Sequence, residues 1–174
     1  RPAGEPAIRR ADGAHHGVIE EPAIAGGGAV DSDGWGMNYD AAVYSDSETL
    51  AQVVVQRNRM HHPRTDSNCW DEYREPYDSY HPRGPQAVVF FDSAGNHVIR
   101  YNEIYSDAEH QFNDGLGAGS NFTWEGGFPG RDTDIYGNFL SQCWDDAIES
   151  EGANCNVRIW GNYLVNCYVG VACA

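Results

Sequence analysis

An aliphatic residue, two variable positions, an asparagine, one more position and a second aliphatic residue recur four times along this chain. The copies are Val55-Gln56-Arg57-Asn58-Arg59-Met60, Ile99-Arg100-Tyr101-Asn102-Glu103-Ile104, Ile135-Tyr136-Gly137-Asn138-Phe139-Leu140 and Ile159-Trp160-Gly161-Asn162-Tyr163-Leu164. Their asparagines lie 44, 36 and 24 residues apart. The shortest interval is near one coil of a right-handed parallel β-helix, and the longer ones fit coils that carry inserted loops. The predicted fold is therefore all-β, a right-handed parallel β-helix (solenoid) of about four to five coils with long inserted loops. Asparagine suits such a turn because it tolerates left-handed backbone and its amide can bond the equivalent asparagine one coil away. The aliphatic positions form the stacked core, so the repeat carries no chemistry of its own but serves as a ruler.

Residues 1–40 are rich in Gly, Ala and Pro, with Gly26-Gly27-Gly28, and are expected to be an irregular lead-in on the edge of a solenoid spanning 41–174. The first coil should use Ala42-Val43-Tyr44 and Val53-Val54-Val55, the second Ala87-Val88-Val89-Phe90-Phe91 and His97-Val98-Ile99. A later coil should use Ala147-Ile148-Glu149-Ser150-Glu151 and Val157-Arg158-Ile159. Ala87 precedes Asn102 by the same distance as Ala147 precedes Asn162, which fixes the register. The run from Tyr168 to Ala174 reads as the start of a further coil, so the chain is expected to be part of a longer solenoid. Segment 61–85 is too long and too aromatic to be mere connection, and the loop around 124–130 is a second insertion.

With 26 acidic against 11 basic side chains, no lysine and scattered arginines, the charge of -15 argues against nucleic acid as a partner. No apolar run reaches the roughly 18 residues of a spanning helix, so no membrane insertion is expected. Of the five cysteines, the ruler places Cys143 and Cys167 at the same turn of consecutive coils, within disulfide reach. Cys155 and Cys173 are a second candidate pair, and buried free thiols are the alternative. Together with the glycosylation sequon Asn121-Phe122-Thr123, the cysteines point to an oxidising, secreted setting.

The same ruler sets Asp114 beneath Asp146 and puts Gly117 and Gly119 opposite Glu149 and Glu151. If Ile148 points inward, Glu149 and Glu151 point out over glycines. The result is an acidic trough of Asp114, Asp145, Asp146, Glu149 and Glu151, walled by Trp124 and Trp144, for a sugar chain or a hard cation such as Ca²⁺. Asp114, Asp146 and Glu149 are the candidate Ca²⁺ ligands, and such an ion would bridge the trough to a uronate polymer. His61-His62, His81 and His110, with Asp107 and Glu109 nearby, suggest a metal site or an acid–base centre, and His110 is also a candidate substrate contact. Arg100 and Arg158 are candidates for the base of a lyase.

Trp144-Asp145-Asp146-Ala147-Ile148 followed by Asn156-Val157-Arg158-Ile159-Trp160-Gly161-Asn162 resembles the pectate-lyase-like superfamily of secreted β-helix proteins, most closely uncharacterised bacterial members, over 41–174. Asn113-Asp114 and Asp145-Asp146 further resemble the aspartate pattern of polygalacturonase-type glycosidases. That resemblance implies Asp145 as general acid and Asp114 and Asp146 as activators of water for inverting hydrolysis, with carboxyls roughly 6.5–9.5 Å apart. The family's Gly-His-Gly would fall at Tyr168-Val169-Gly170, which has no histidine, and Trp144 stands where that family has glycine. Three function classes follow. One is a secreted enzyme, glycoside hydrolase or polysaccharide lyase, acting on an extracellular glycan. Another is a noncatalytic carbohydrate-binding or adhesive module, and the third is a structural subunit that self-associates through solenoid ends into extracellular filaments.

Overall fold

The repeated asparagines do stack. A computed structural model describes residues 8–10, 13, 15–118 and 123–173; Gly119, the sequon residues Asn121 and Phe122, and both chain termini lie outside them. The described chain has fourteen strands: β1 Ile8–Arg9, β2 His15–Glu20, β3 Ala23–Ala25, β4 Ala41–Ser45, β5 Ala51–Gln56, β6 Arg59–His61, β7 Gln86–Phe90, β8 Val98–Arg100, β9 Glu103–Tyr105, β10 Gly127–Phe128, β11 Asp134–Tyr136, β12 Phe139–Gly152, β13 Arg158–Trp160 and β14 Tyr163–Cys173. No described helix is long and apolar enough to cross a membrane.

The all-β expectation holds, but the single right-handed β-helix does not: the strands form three separate sheets. One has the order β1-β4-β7, another β13-β11-β8-β5-β2, and both are parallel. The third, β10-β12-β9-β6-β3 with β14 also on β12, is mixed, because β10 runs antiparallel to β12. The physical reason lies in the stretch 113–118. It carries Gly115 and Gly117 where β-formers would be needed, and although backbone hydrogen bonds tie it to β7 and β12, its ladder pairs are only the isolated bridges Val88↔Leu116 and Leu116↔Ile148. The first sheet therefore ends at β7, while β12 runs on as one 14-residue strand of the mixed sheet.

Within each sheet the register matches the ruler. Ile19, Val55, Ile99, Ile135 and Ile159 form one aliphatic column. Ile24, Met60, Ile104, Leu140 and Leu164 form a second. Val43, Val88, Leu116 and Ile148 form a third across the isolated bridges. The inner members of these columns are fully buried, and each such side chain contributes roughly 1.5–3 kcal/mol of transfer free energy before entropy is charged against it.

The asparagines run beside these columns as a buried ladder. Asn58 Nδ2 donates to Asn102 Oδ1 at 2.8 Å, Asn102 Nδ2 to Asn138 Oδ1 at 2.9 Å, and Asn138 Nδ2 to Asn162 Oδ1 at 2.9 Å. Each Oδ1 also accepts the preceding asparagine's backbone N–H, at 3.0–3.1 Å. The second amide hydrogens go to the carbonyls of Ile19, Val55, Ile99 and Ile135. The left-handed backbone falls one residue earlier than expected, at Arg57, Tyr101, Gly137 and Gly161, with φ of 55°, 56°, 65° and 63°. Asparagine is thus chosen for its amide rather than its backbone tolerance.

The expected irregular lead-in holds β1, β2 and β3. Ile19 and Ile24 sit opposite Val55 and Met60, so Ile19-Glu20-Glu21-Pro22-Ala23-Ile24 is a further copy of the repeat with proline in the asparagine place. Glu21 has the same left-handed φ, 65°, and Arg59 N donates to Pro22 O as Glu103 N does to Asn58 O. Proline has no N–H, and Asn58 Oδ1 is buried without a hydrogen-bond partner.

No disulfide joins Cys143 and Cys167, although they are Cα partners in register, and Cys155 and Cys173 are free as well. The Cys143 thiol is pushed up by its hydrogen bond to Cys167 and by burial.

Replacing Asn102 by Ala removes the acceptor for Asn58 N and Nδ2 and the donor to Val55 O. We expect a loss of about 3 kcal/mol in urea unfolding, given roughly 1–3 kcal/mol per buried orphaned group, and a clearly smaller loss for Asn162→Ala at the half-buried end. Equal losses would show that the ladder does not act as a buried unit.

Candidate functional site

Three segments converge where the first sheet gives way: Gln86 at the head of β7, residues 113–118, and the second half of β12. Backbone hydrogen bonds lock them together, with Asp145 N donating to Asn113 O at 3.0 Å, Gly115 N to Asp146 O at 2.9 Å and Leu116 N to Ala147 O at 3.0 Å. This places Asp114 beside Asp146, as the ruler required, and Asp146 N donates to Asp114 Oδ1 at 3.2 Å. Adjacent residues of a strand normally face opposite ways. The pairing of β12 with β14 slips between Cys143 and Asp146, however, and a slip of this kind re-aims side chains. One carboxylate oxygen from each of Asp114, Asp145 and Asp146 lies within 4.8 Å of the others.

All three aspartates are buried, and so is Glu149. Asp114 Oδ2 accepts from Asn113 Nδ2 at 2.6 Å and from Gln86 Nε2. Asp145 Oδ1 accepts from Trp70 Nε1 at 3.2 Å, and its Oδ2 stands 3.7 Å from His81 Nε2. The trough is not open over Glu149: its side chain fills the space above Gly117, where a Cβ would lie 2.5 Å from Oε2, and Oε2 accepts from Ala118 N at 3.1 Å. The Trp70 ring stacks on Tyr168 at 6.1 Å and lies 4.8 Å from His81, so an aromatic rim caps Asp145.

One oxygen from each carboxylate within 4.8 Å of the others suits a shared proton or a shared cation. The convergent set is Asp114, Asp145 and Asp146, whereas the expected ion ligands were Asp114, Asp146 and Glu149. Trp124 stands 97% exposed, Trp144 is half-buried, and Glu151 pairs with Phe128 of β10. His110 belongs to a separate cluster with Asp107. Arg100 is engaged by Gln56 Oε1 and Tyr136 Oη, both at 2.8 Å, and Arg158 is bidentate on Asp134, so both candidate lyase bases are held as ion-pair or hydrogen-bond donors. Trp70 and Gln86 were missed, and His81, a candidate metal or acid–base residue, stands beside Asp145 rather than with His61, His62 and His110; spacing flags the 61–85 insertion without saying which of its residues folds back over β12.

Burial raises every carboxyl of the site. Asp146 is pushed up to about 7 by burial and then by Asp145 and Glu151. Glu149 reaches about 8 through burial and then Asp146. Burial and Glu149 lift Asp114 well above the usual range, despite its three hydrogen-bond donors. Burial also raises Asp145, against the pull of His81 and Trp70. No family model, curated protein or solved structure matches the chain, and none of these comparisons ties it to the pectate-lyase-like superfamily.

These shifts set a pH dependence. A carboxyl raised in the folded state contributes stability below its unfolded value, near 3.8 for Asp and 4.5 for Glu, and loses it as pH rises through the folded values of about 7 and 8. Buried His97 works in the opposite sense: Nδ1 accepts from Val53 N at 3.2 Å, and burial lowers it from 6.5 to about 4, so its contribution is complete above 6.5. Without divalent cations, melting temperature should therefore fall between pH 6.5 and 8, and Asp146→Asn/Glu149→Gln should flatten that fall. A wild-type melting temperature that is flat or rising over this range would refute the assignment.

Proposed function

We propose that the protein binds an acidic extracellular polysaccharide through a hard divalent cation, Ca²⁺ foremost, held by Asp114, Asp145 and Asp146. The observation that carries this reading is the convergence of three carboxylate oxygens within 4.8 Å. Ca²⁺ takes carboxylate and amide oxygens at about 2.3–2.6 Å and leaves positions open for water or substrate. Gln86 supports the fit: it is only 2% exposed, its amide already touches Asp114, and its Oε1 is buried without a hydrogen-bond partner. Rotating that amide offers a carbonyl ligand of the kind Ca²⁺ takes. Buried carboxylates in one place repel one another unless protons or a cation neutralise them. A chain of net charge -15 also needs a bridging ion to approach a polyuronate. Tyr168, 64% exposed and stacked on Trp70 beside Asp145, offers its outer ring face for stacking on sugar.

Two measurements test this. Ca²⁺ should raise the melting temperature more at pH 8 than at pH 5, where protons compete for the same oxygens, and Asp146→Asn should abolish the shift. Retention on immobilised polygalacturonate should require Ca²⁺ and vanish with chelator or in Asp146→Asn. Retention unaffected by chelator, or no retention on any charged glycan, would sink the reading. Release of new reducing ends by wild type but not by Asp145→Asn would extend binding to cleavage.

A second reading, self-association, is favoured by β14. Along its 11 residues it pairs with β12 alone among the described strands, with Tyr163, Tyr168 and Val171 exposed. Sedimentation that stays monomeric across concentration would remove it.

A further inference from the structure

His61, His62 and His110, left out of the carboxylate site, come together elsewhere. His61 of β6 is the Cα partner of Tyr105 of β9, and their rings stack at 5.0 Å. His62 follows with φ 46°, its backbone fixed on both sides: N donates to Tyr105 O at 3.3 Å, and O accepts from Gly26 N at 2.9 Å. The turn after β9 is equally well held. Ser106 Oγ donates to His110 O at 2.6 Å, and Asp107 Oδ1 accepts from Glu109 N at 3.1 Å. Both imidazoles consequently meet one carboxylate, with His110 Nδ1 at 2.9 Å from Asp107 Oδ1 and His62 Nε2 at 3.5 Å from Asp107 Oδ2.

We propose that His62, Asp107 and His110 form a second metal site, for a borderline transition-metal ion with Zn²⁺ as its first candidate. Two imidazole nitrogens and one carboxylate oxygen are a ligand set for Zn²⁺, Ni²⁺ or Cu²⁺ rather than for Ca²⁺. The side chains of His62, Asp107 and His110 are 42%, 44% and 41% exposed, so an ion reaches them directly and positions remain for water. His61 Nδ1 lies 3.0 Å from His62 Nδ1 and turns the His62 ring so that Nε2 faces Asp107, the orienting role that partners of metal-bound histidines play. The His62 and His110 rings are 6.5 Å apart. They must close by about an ångström to share one ion at nitrogen distances of ~2.0–2.1 Å, a movement their exposure allows. The site is independent of the carboxylate cluster and of the polysaccharide reading.

Calorimetry with Zn²⁺, and the visible spectrum of the Co²⁺-loaded protein, test this on the full chain at pH 7.5. We expect one Zn²⁺ bound in wild type and in Asp146→Asn alike, with no displacement by excess Ca²⁺. Binding should weaken about tenfold or more in His110→Ala and disappear in His62→Ala/His110→Ala, together with the Co²⁺ bands. Circular dichroism should show the variants folded, and Asp107→Asn, which can still accept from Glu109 N, should weaken binding without touching either ring. Absence of Zn²⁺ binding in wild type, equal affinity in the double variant, or loss of the ion in Asp146→Asn would each overturn the proposal.

Discussion

One interaction sets everything else in place: the side-chain amide ladder through Asn58, Asn102, Asn138 and Asn162. It sits at a corner between two sheets, so a strand on either side cannot slip by one residue without breaking several buried hydrogen bonds at once. In parallel sheets such a slip would also turn aliphatic side chains out of the core. The ladder and the aliphatic columns thus enforce the same register, one through polar satisfaction and the other through apolar burial.

The carboxylate site inherits that register. Asp114 reaches Asp146 because the segment before β10 is pinned against β12 by backbone bonds, and Asp145 joins them because β12 slips locally against β14. Glycine at 117 leaves the volume that Glu149 occupies. The outcome is a local excess of buried negative charge, which protons hold in check when no cation does. A stability cost is thereby concentrated at one place in the fold.

What the sequence made legible was what stacking dictates. Val55, Ile99, Ile135 and Ile159 had to align because each position of the buried column takes an aliphatic side chain, and from that alignment the neighbourhood of Asp114 and Asp146 followed. The copy at Ile19–Ile24 escaped notice because Pro22 replaces the asparagine while leaving the backbone hydrogen bond to Arg59 intact. The division into three sheets depends on glycines at 115 and 117 failing to continue a strand, a tertiary outcome that the repeat does not encode. Cys143 and Cys167 show the limit of register: shared Cα positions bring two thiols together without making a bond between them. That Trp70 and His81 would stand beside Asp145 lay beyond reach because the path of a long insertion is set by what it packs on.

The ladder also has a direction. Each of its three amide-to-amide hydrogen bonds runs from the lower-numbered asparagine to the higher, so these bonds chain head to tail and polarise one another. The two ends are therefore chemically different. At one end a lone carbonyl oxygen, on Asn58, faces a proline that cannot donate to it, and at the other Asn162 is half-buried. An array with this polarity can be lengthened by another donor-accepting level only on the Asn162 side; on the other side a single imino acid acts as a full stop.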